Sequence, residues 1–178
     1  IGNGLLADIV RDLDHHIITF FCSGVSNPEE TRISEFDKEE DLLNKTIQVM
    51  NLEHCLIYFG TTTPKDSLYA KHKRRMEEFI QKNARYWIII RLGPICSDTG
   101  NTFYSFAKRN IIADTEFSLW EKESRPILTP NQVYDFVYAM INLTVNFCVS
   151  FEGKWIPVKQ IVEDLEKELG KKAKYKVI

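Results

Sequence analysis

Tyr69 and Lys73 stand four residues apart in the run Tyr69-Ala70-Lys71-His72-Lys73. In a helix that spacing puts both side chains on one face, one turn apart. An ammonium beside a phenol favours the phenolate and lowers its pKa, which suits a tyrosine to move a proton near neutral pH. An exposed tyrosine in a basic helix satisfies the same pattern, so the spacing alone leaves both readings open. His72, inside the run, is expected to face solvent. A second reactive group, Gly60-Thr61-Thr62-Thr63, follows the apolar run Cys55 to Phe59. Hydroxyls at a strand end can hydrogen-bond a carbonyl or alcohol oxygen, although a plain polar loop looks the same. The third group is Gly2-Asn3-Gly4-Leu5-Leu6-Ala7. In this GxGxxA pattern the first glycine permits a tight turn and the second lets backbone approach a pyrophosphate. The small third residue lets a helix pack on its strand. The helix start adds free N–H groups and a positive dipole end. A purely structural turn is the competing reading.

Regular elements must carry these groups. Apolar runs predict strands at Ile17–Cys22, Cys55–Phe59 and Tyr86–Leu92, with shorter ones at Phe117–Trp120 and Val145–Val149. Ser23-Gly24-Val25-Ser26-Asn27-Pro28 reads as a loop. Gly2 to Leu13 reads as a glycine turn opening a helix. Further helices are predicted over Glu35–Val49, with Phe36, Leu42, Leu43, Ile47 and Met50 inward, and over Leu68–Lys82, with Met76, Phe79 and Ile80 inward. Others cover Phe103–Asn110, Asn131–Asn142 behind Thr129 and Pro130, and Val158–Leu169, stopped by Gly170. Near-continuous apolar strands alternating with helices predict an α/β fold: a shortened, Rossmann-like parallel sheet with helices on both faces. The whole of 1–178 is expected to form one domain, with a small substrate-binding lobe from about residue 101. A glycine turn of this kind normally follows a buried strand, so a first strand of about five residues is expected ahead of Ile1.

Composition narrows the function. With 23 Lys and Arg against 25 Asp and Glu, a net charge of −2 excludes a strongly basic nucleic-acid binder. No apolar stretch reaches the roughly 20 residues of a membrane span, and no signal peptide is visible. A cytoplasmic location is therefore expected. Cys22, Cys55, Cys96 and Cys148 form no CxxC pair, so buried reduced thiols are expected and no metal site.

The order of the motifs is what the chain shares with a known family. GxGxxA, a strand ending in Ser23-Gly24-Val25-Ser26-Asn27, a strand ending in hydroxyls, YxxxK, then a strand ending in Arg91-Leu92-Gly93-Pro94 follow one another. In this the chain resembles the short-chain dehydrogenase/reductase superfamily, and most closely its extended branch of nucleotide-sugar epimerases, dehydratases and reductases. Arg125 to Val133 is similar to that branch's arginine-led segment before a late helix. The resemblance implies an NAD(P)-dependent oxidoreductase or epimerase acting on a nucleotide-linked sugar, a 4-keto-sugar reductase foremost, with NAD or NADP as cofactor. It implies that Gly2, Gly4, Leu5 and Leu6 hold the pyrophosphate. Ser23, Gly24 and Val25 would line the cofactor, with Pro94 and Ile95 near the nicotinamide. Tyr69 would be the acid/base, Lys73 would bind the nicotinamide ribose and lower the Tyr69 pKa, and Thr61 or Thr62 would bind the reacting oxygen. Ser26, Asn27 and Arg125 would contact substrate. A homodimer paired through the YxxxK helix is also implied. The chain departs from the family in lacking two strand–helix units after the glycine turn, and with them the residue that reads the adenosine ribose. Asp12 and Asp14 do not occupy that place. A catalytically degenerate Rossmann-fold binding module is the alternative, and a glycosyltransferase-like nucleotide-binding module a third.

Overall fold

A computed structural model describes residues 1–13, 16–64, 66–98, 102–143 and 146–178. Asp14 and Val145 lie outside them. The chain divides into two compact units, Ile1–Leu92 with Asn131–Phe151, and Gly93–Pro130 with Glu152–Ile178.

The first unit is built on four parallel strands, β1 (Ile18–Phe21), β2 (Cys55–Thr61), β3 (Tyr86–Leu92) and β6 (Phe147–Phe151), side by side in that order. Helices α1 (Leu5–Val10), α2 (Ile33–Val49), α3 (Leu68–Asn83) and α5 (Pro130–Met140) connect or precede them. The apolar runs at β2 and β3 are continuous because both faces are covered: Leu56, Ile57, Tyr58, Ile88, Ile89 and Ile90 are all buried. On one face Phe21, Leu56, Tyr58 and Ile89 pack with Leu43 of α2 and with Met76 and Ile80 of α3. This is the expected Rossmann-like parallel sheet. Register fixes the site: Thr61 pairs with Leu92 and Gly60 with Arg91 at the carboxyl ends of the two central strands.

α3 is also locked to β3 by charge. Buried Glu77 accepts from Arg91 at 2.6 Å and from Arg74 at 2.9 Å. Gly60 makes room for this carboxylate, since a Cβ there would lie 2.5 Å from Glu77 Oε1.

The second unit holds α4 (Phe103–Ala113), α6 (Val158–Leu169) and four short strands. β4 (Phe117–Leu119) pairs in parallel with β8 (Tyr175–Val177), and β5 (Ser124–Ile127) pairs antiparallel with β7 (Lys154–Pro157). Its core is Ala107, Ile111, Phe117, Leu119, Val158, Ile161, Val162 and Leu165. α6 ends as predicted, at Gly170 in the left-handed conformation.

Several expectations need correction. The first helix covers only Leu5–Val10, shorter than Gly2 to Leu13 suggests. Leu42 is exposed, because Phe36, Glu39, Leu43 and Thr46 form the buried stripe of α2. β5, β7 and β8 were not predicted. Cys96 is buried, but Cys22 and Cys55 are half-buried and Cys148 is exposed, on the outward side of β6. All four are free thiols. No helix among the described residues is long and apolar enough to cross a membrane.

Candidate active site

Ser67 starts α3 by accepting a hydrogen bond from the Ala70 N–H at 3.2 Å. That cap sets Tyr69 in the first turn and Lys73 one turn later, both facing the sheet and both buried. Tyr69 is therefore not an exposed helical tyrosine. Thr61, buried at the end of β2, stands beside the Tyr69 phenol, and its hydroxyl lies 2.9 Å from the Thr63 hydroxyl. Its Oγ1 also accepts from the Thr63 N–H at 3.1 Å. Thr62 is half-buried and is held through its backbone, its N–H donating to the Leu92 carbonyl.

Lys73 reaches a partner that the motif does not contain. Its Nζ donates to Glu39 Oε1 of α2 at 2.9 Å and lies 5.9 Å from the centre of the Tyr69 ring. The same oxygen accepts from the Tyr58 hydroxyl at 2.7 Å. Glu39 Oε2 accepts from the Val25 N–H at 2.7 Å. His72 Nε2 sits 3.1 Å from Oε2, within ion-pair distance but without the alignment of a hydrogen bond, and neither ring nitrogen has a hydrogen-bond partner. His72 is buried, contrary to the solvent-facing position expected of it, because its ring packs on Phe36 with centroids 4.8 Å apart. Gly24 completes the arrangement: a Cβ there would meet Lys73 Nζ at 2.3 Å and Glu39 Oε1 at 2.8 Å.

Electrostatics follow from this burial. Burial alone would raise the Glu39 carboxyl, but His72, Lys73 and Tyr58 together hold it down at about 2. Burial lowers the Lys73 ammonium, and Glu39 opposes that. The Tyr69 phenol is raised, not lowered: burial pushes it up, the neighbouring Thr61 hydroxyl works against that, and Glu39 adds to the rise. The lysine that should have depressed it is already paired.

The glycine turn lies beside β1. Gly2 has φ +122°, and a Cβ on it would stand 2.7 Å from the Cys22 carbonyl oxygen. Only glycine suits that crossing. Gly4 precedes α1 with open space around it. Leu5 is exposed, and Leu6 and Ala7 are half-buried. The Ile1 carbonyl accepts from the Cys22 N–H at 2.7 Å, so the turn sits at the end of β1 from which Ser23, Gly24 and Val25 continue. Ser26 and Asn27 are exposed, and the Asn27 side chain accepts from the Glu29 N–H at 3.1 Å.

The first unit thus brings together Gly24, Val25, Thr61, Tyr69 and Lys73. Pro94, Ile95 and Arg125 belong to the second unit. There Ile95 bridges to Leu128, and exposed Arg125 pairs with Glu123. Among the described residues no cluster of His, Cys, Asp or Glu can hold a metal ion. Sequence reasoning missed Glu39, Tyr58 and His72. One signal was available for Glu39: it falls on the inward stripe between Phe36 and Leu43, where an acid needs a partner.

The chain matches no known family model and no curated protein. Solved structures do share its fold. It superimposes on a dTDP-4-dehydrorhamnose reductase from Bacillus anthracis, in complex with NADP, with a TM-score of 0.74 and 13% identity, over 97% of this chain and 69% of that one. For a UDP-glucuronic acid 4-epimerase from Bacillus cereus, in complex with NAD, the TM-score is 0.71 and the identity 11%, over 97% and 65% of the two chains. For a UDP-glucose 4-epimerase from Thermus thermophilus, also with NAD, the values are 0.68 and 12%, over 96% and 67%. At such identities the likeness is one of fold: this chain has the Rossmann-like sheet on which those reductases and epimerases are built, and it spans about two thirds of their length.

Proposed function

We propose that the protein is a short-chain dehydrogenase/reductase-type oxidoreductase that uses NAD or NADP to reduce or oxidise a carbon of a nucleotide-linked sugar, most simply as a reductase of a 4-keto sugar. The observation that carries this reading is buried Tyr69 beside Thr61, with Lys73 one turn along and Gly24 against it, at the carboxyl ends of parallel strands. Ligands bind at that end of open α/β sheets. The fold shared with a reductase and two epimerases bound to NADP or NAD supports it further.

The residues fit a nicotinamide nucleotide at its ribose end. Lys73 spends one donor on Glu39 and keeps others for ribose hydroxyls. The turn from Gly2 to Leu6 and the loop Ser23 to Val25 would face the phosphates and the ribose. When bound, the cofactor supplies or accepts the hydride. The protein's part is to hold the sugar oxygen between Thr61 and Tyr69 and to pass a proton through Tyr69 Oη. Within the first unit, Ser26 and Asn27 are the proposed substrate contacts.

Titration calorimetry with NADH and NADPH tests this directly. Saturable binding is expected, weakened about tenfold or more by Lys73→Ala and little changed by Tyr69→Phe. Turnover of a 4-keto nucleotide sugar should fall by about 10²-fold or more in Tyr69→Phe. No binding at about 1 mM of either nucleotide, roughly −4 kcal/mol, overturns the proposal.

A further inference from the structure

We propose that Glu39 is a positioning residue that offsets Lys73: by pairing with the ammonium it weakens the pull on the Tyr69 proton, which favours the proton-donating step at a carbonyl and makes the phenolate that oxidation needs scarcer. This rests on the oxidoreductase reading above and goes beyond it, because the Tyr–Lys pair serves reduction and oxidation alike.

The geometry carries the argument. A lone ammonium one turn from Tyr69 would favour the phenolate. Lys73 is not alone: Glu39 stands 2.9 Å away, and the side chains are only 4% and 1% exposed. In so poorly solvated a place the carboxylate cancels most of the field that the ammonium exerts on a third group. The carboxylate is itself fixed from three directions, by Tyr58 of β2, by the Val25 N–H beyond β1 and by Lys73 of α3. The space where the two charges meet exists because residue 24 has no side chain. The ionisable groups around the Tyr69–Lys73 pair are Glu39 from α2, Tyr58 from β2 and Glu77 from the same helix, with His72 of that helix against Glu39 and the Thr61 hydroxyl beside the phenol. Burial is the largest cause of the rise of the Tyr69 phenol, and Glu39 adds to it.

The consequence is a choice of step. In reduction a hydride adds to the carbonyl carbon, and the C–O π pair moves to oxygen. That oxygen takes the proton from Tyr69 Oη, and solvent re-protonates the phenolate left behind. Oxidation, with which an epimerase must begin, needs the phenolate before any hydride leaves. With the Lys73 charge offset, the phenolate that the second step needs is about tenfold scarcer, at any pH below the Tyr69 midpoint, than it would be beside an unpaired ammonium.

Carbon-13 NMR of protein labelled at the tyrosine ring, with Tyr69→Phe to assign the signal, tests this without cofactor or substrate. Tyr69 of the wild type should remain a phenol past about pH 10. Glu39→Gln should lower its midpoint by about one pH unit, tenfold in the acid constant. A wild-type midpoint below about pH 9 overturns the proposal, whatever the variants do. So does a folded Glu39→Gln protein whose Tyr69 titrates like the wild type. If Glu39→Gln does not fold, the double variant Glu39→Gln/Lys73→Met removes both charges and should titrate close to the wild type. A double variant shifted by about tenfold or more overturns the idea of cancelling charges. Loss of NADH binding alongside the expected titration would defeat the oxidoreductase reading and leave the Glu39–Lys73 balance standing.

Discussion

Glu39 uses both carboxylate oxygens, so the acid limb of the stability curve should carry its mark. Its carboxyl is held at about 2 against an ordinary 4.5. A depressed carboxyl contributes its full stabilisation above the unfolded value, and loses it as pH falls through the folded one. Between about pH 5 and pH 2 the wild type should lose on the order of 3 kcal/mol more than Glu39→Gln, measured by urea denaturation across that range. Gly24→Ala should be more damaging than its size suggests, because the new methyl group meets both Lys73 Nζ and Glu39 Oε1. We expect a loss of about 2–4 kcal/mol in denaturation, and weaker nucleotide binding by calorimetry. The pair Tyr69 and Lys73 was legible because helical spacing makes neighbours of residues i and i+4. The pairing of Glu39 with Lys73 was not, because the two meet from different helices, 34 residues apart. Charged residues in a helix are read as its solvent face until the fold shows otherwise.

α3 positions most of the chemistry, and its first turn depends on one hydroxyl. Ser67→Ala removes the acceptor for the Ala70 N–H and should cost about 1 kcal/mol in thermal denaturation. Because Tyr69 lies in that turn, the same change should lower turnover more than it lowers nucleotide binding. Gly60→Ala should cost about 1–2 kcal/mol, since the Glu77 carboxylate that Arg91 and Arg74 hold must yield, and the Arg91 stem with it. The sheet strands were readable from sequence because burial on both faces removes polar residues from β2 and β3. β5 and β7 were not, since Ser124-Arg125-Pro126-Ile127 and Lys154-Trp155-Ile156-Pro157 are short, carry proline and show no apolar run. β8 at Tyr175–Val177, three residues long with two of them exposed, gives no stronger signal. Pairing partners distant in the chain decide such strands, and a local pattern cannot name them.

At the scale of the molecule each unit has a core among the described residues, and each core holds fully buried leucines. Leu43→Ala in the first unit and Leu165→Ala in the second should each cost about 2–5 kcal/mol by chemical denaturation. The second unit is assembled from two stretches of chain, Gly93–Pro130 and Glu152–Ile178, with α5 and β6 of the first unit between them in sequence. The three tryptophans are divided between the units: Trp87 of β3 is half-buried in the first, while Trp120 and Trp155 are exposed in the second. The protein thus carries intrinsic fluorophores for each half, and no external dye is needed to watch one without the other. Emission of Trp87→Phe should be red-shifted, as indoles in water are, and that of Trp120→Phe/Trp155→Phe should be bluer. Quenching by iodide should follow the same order.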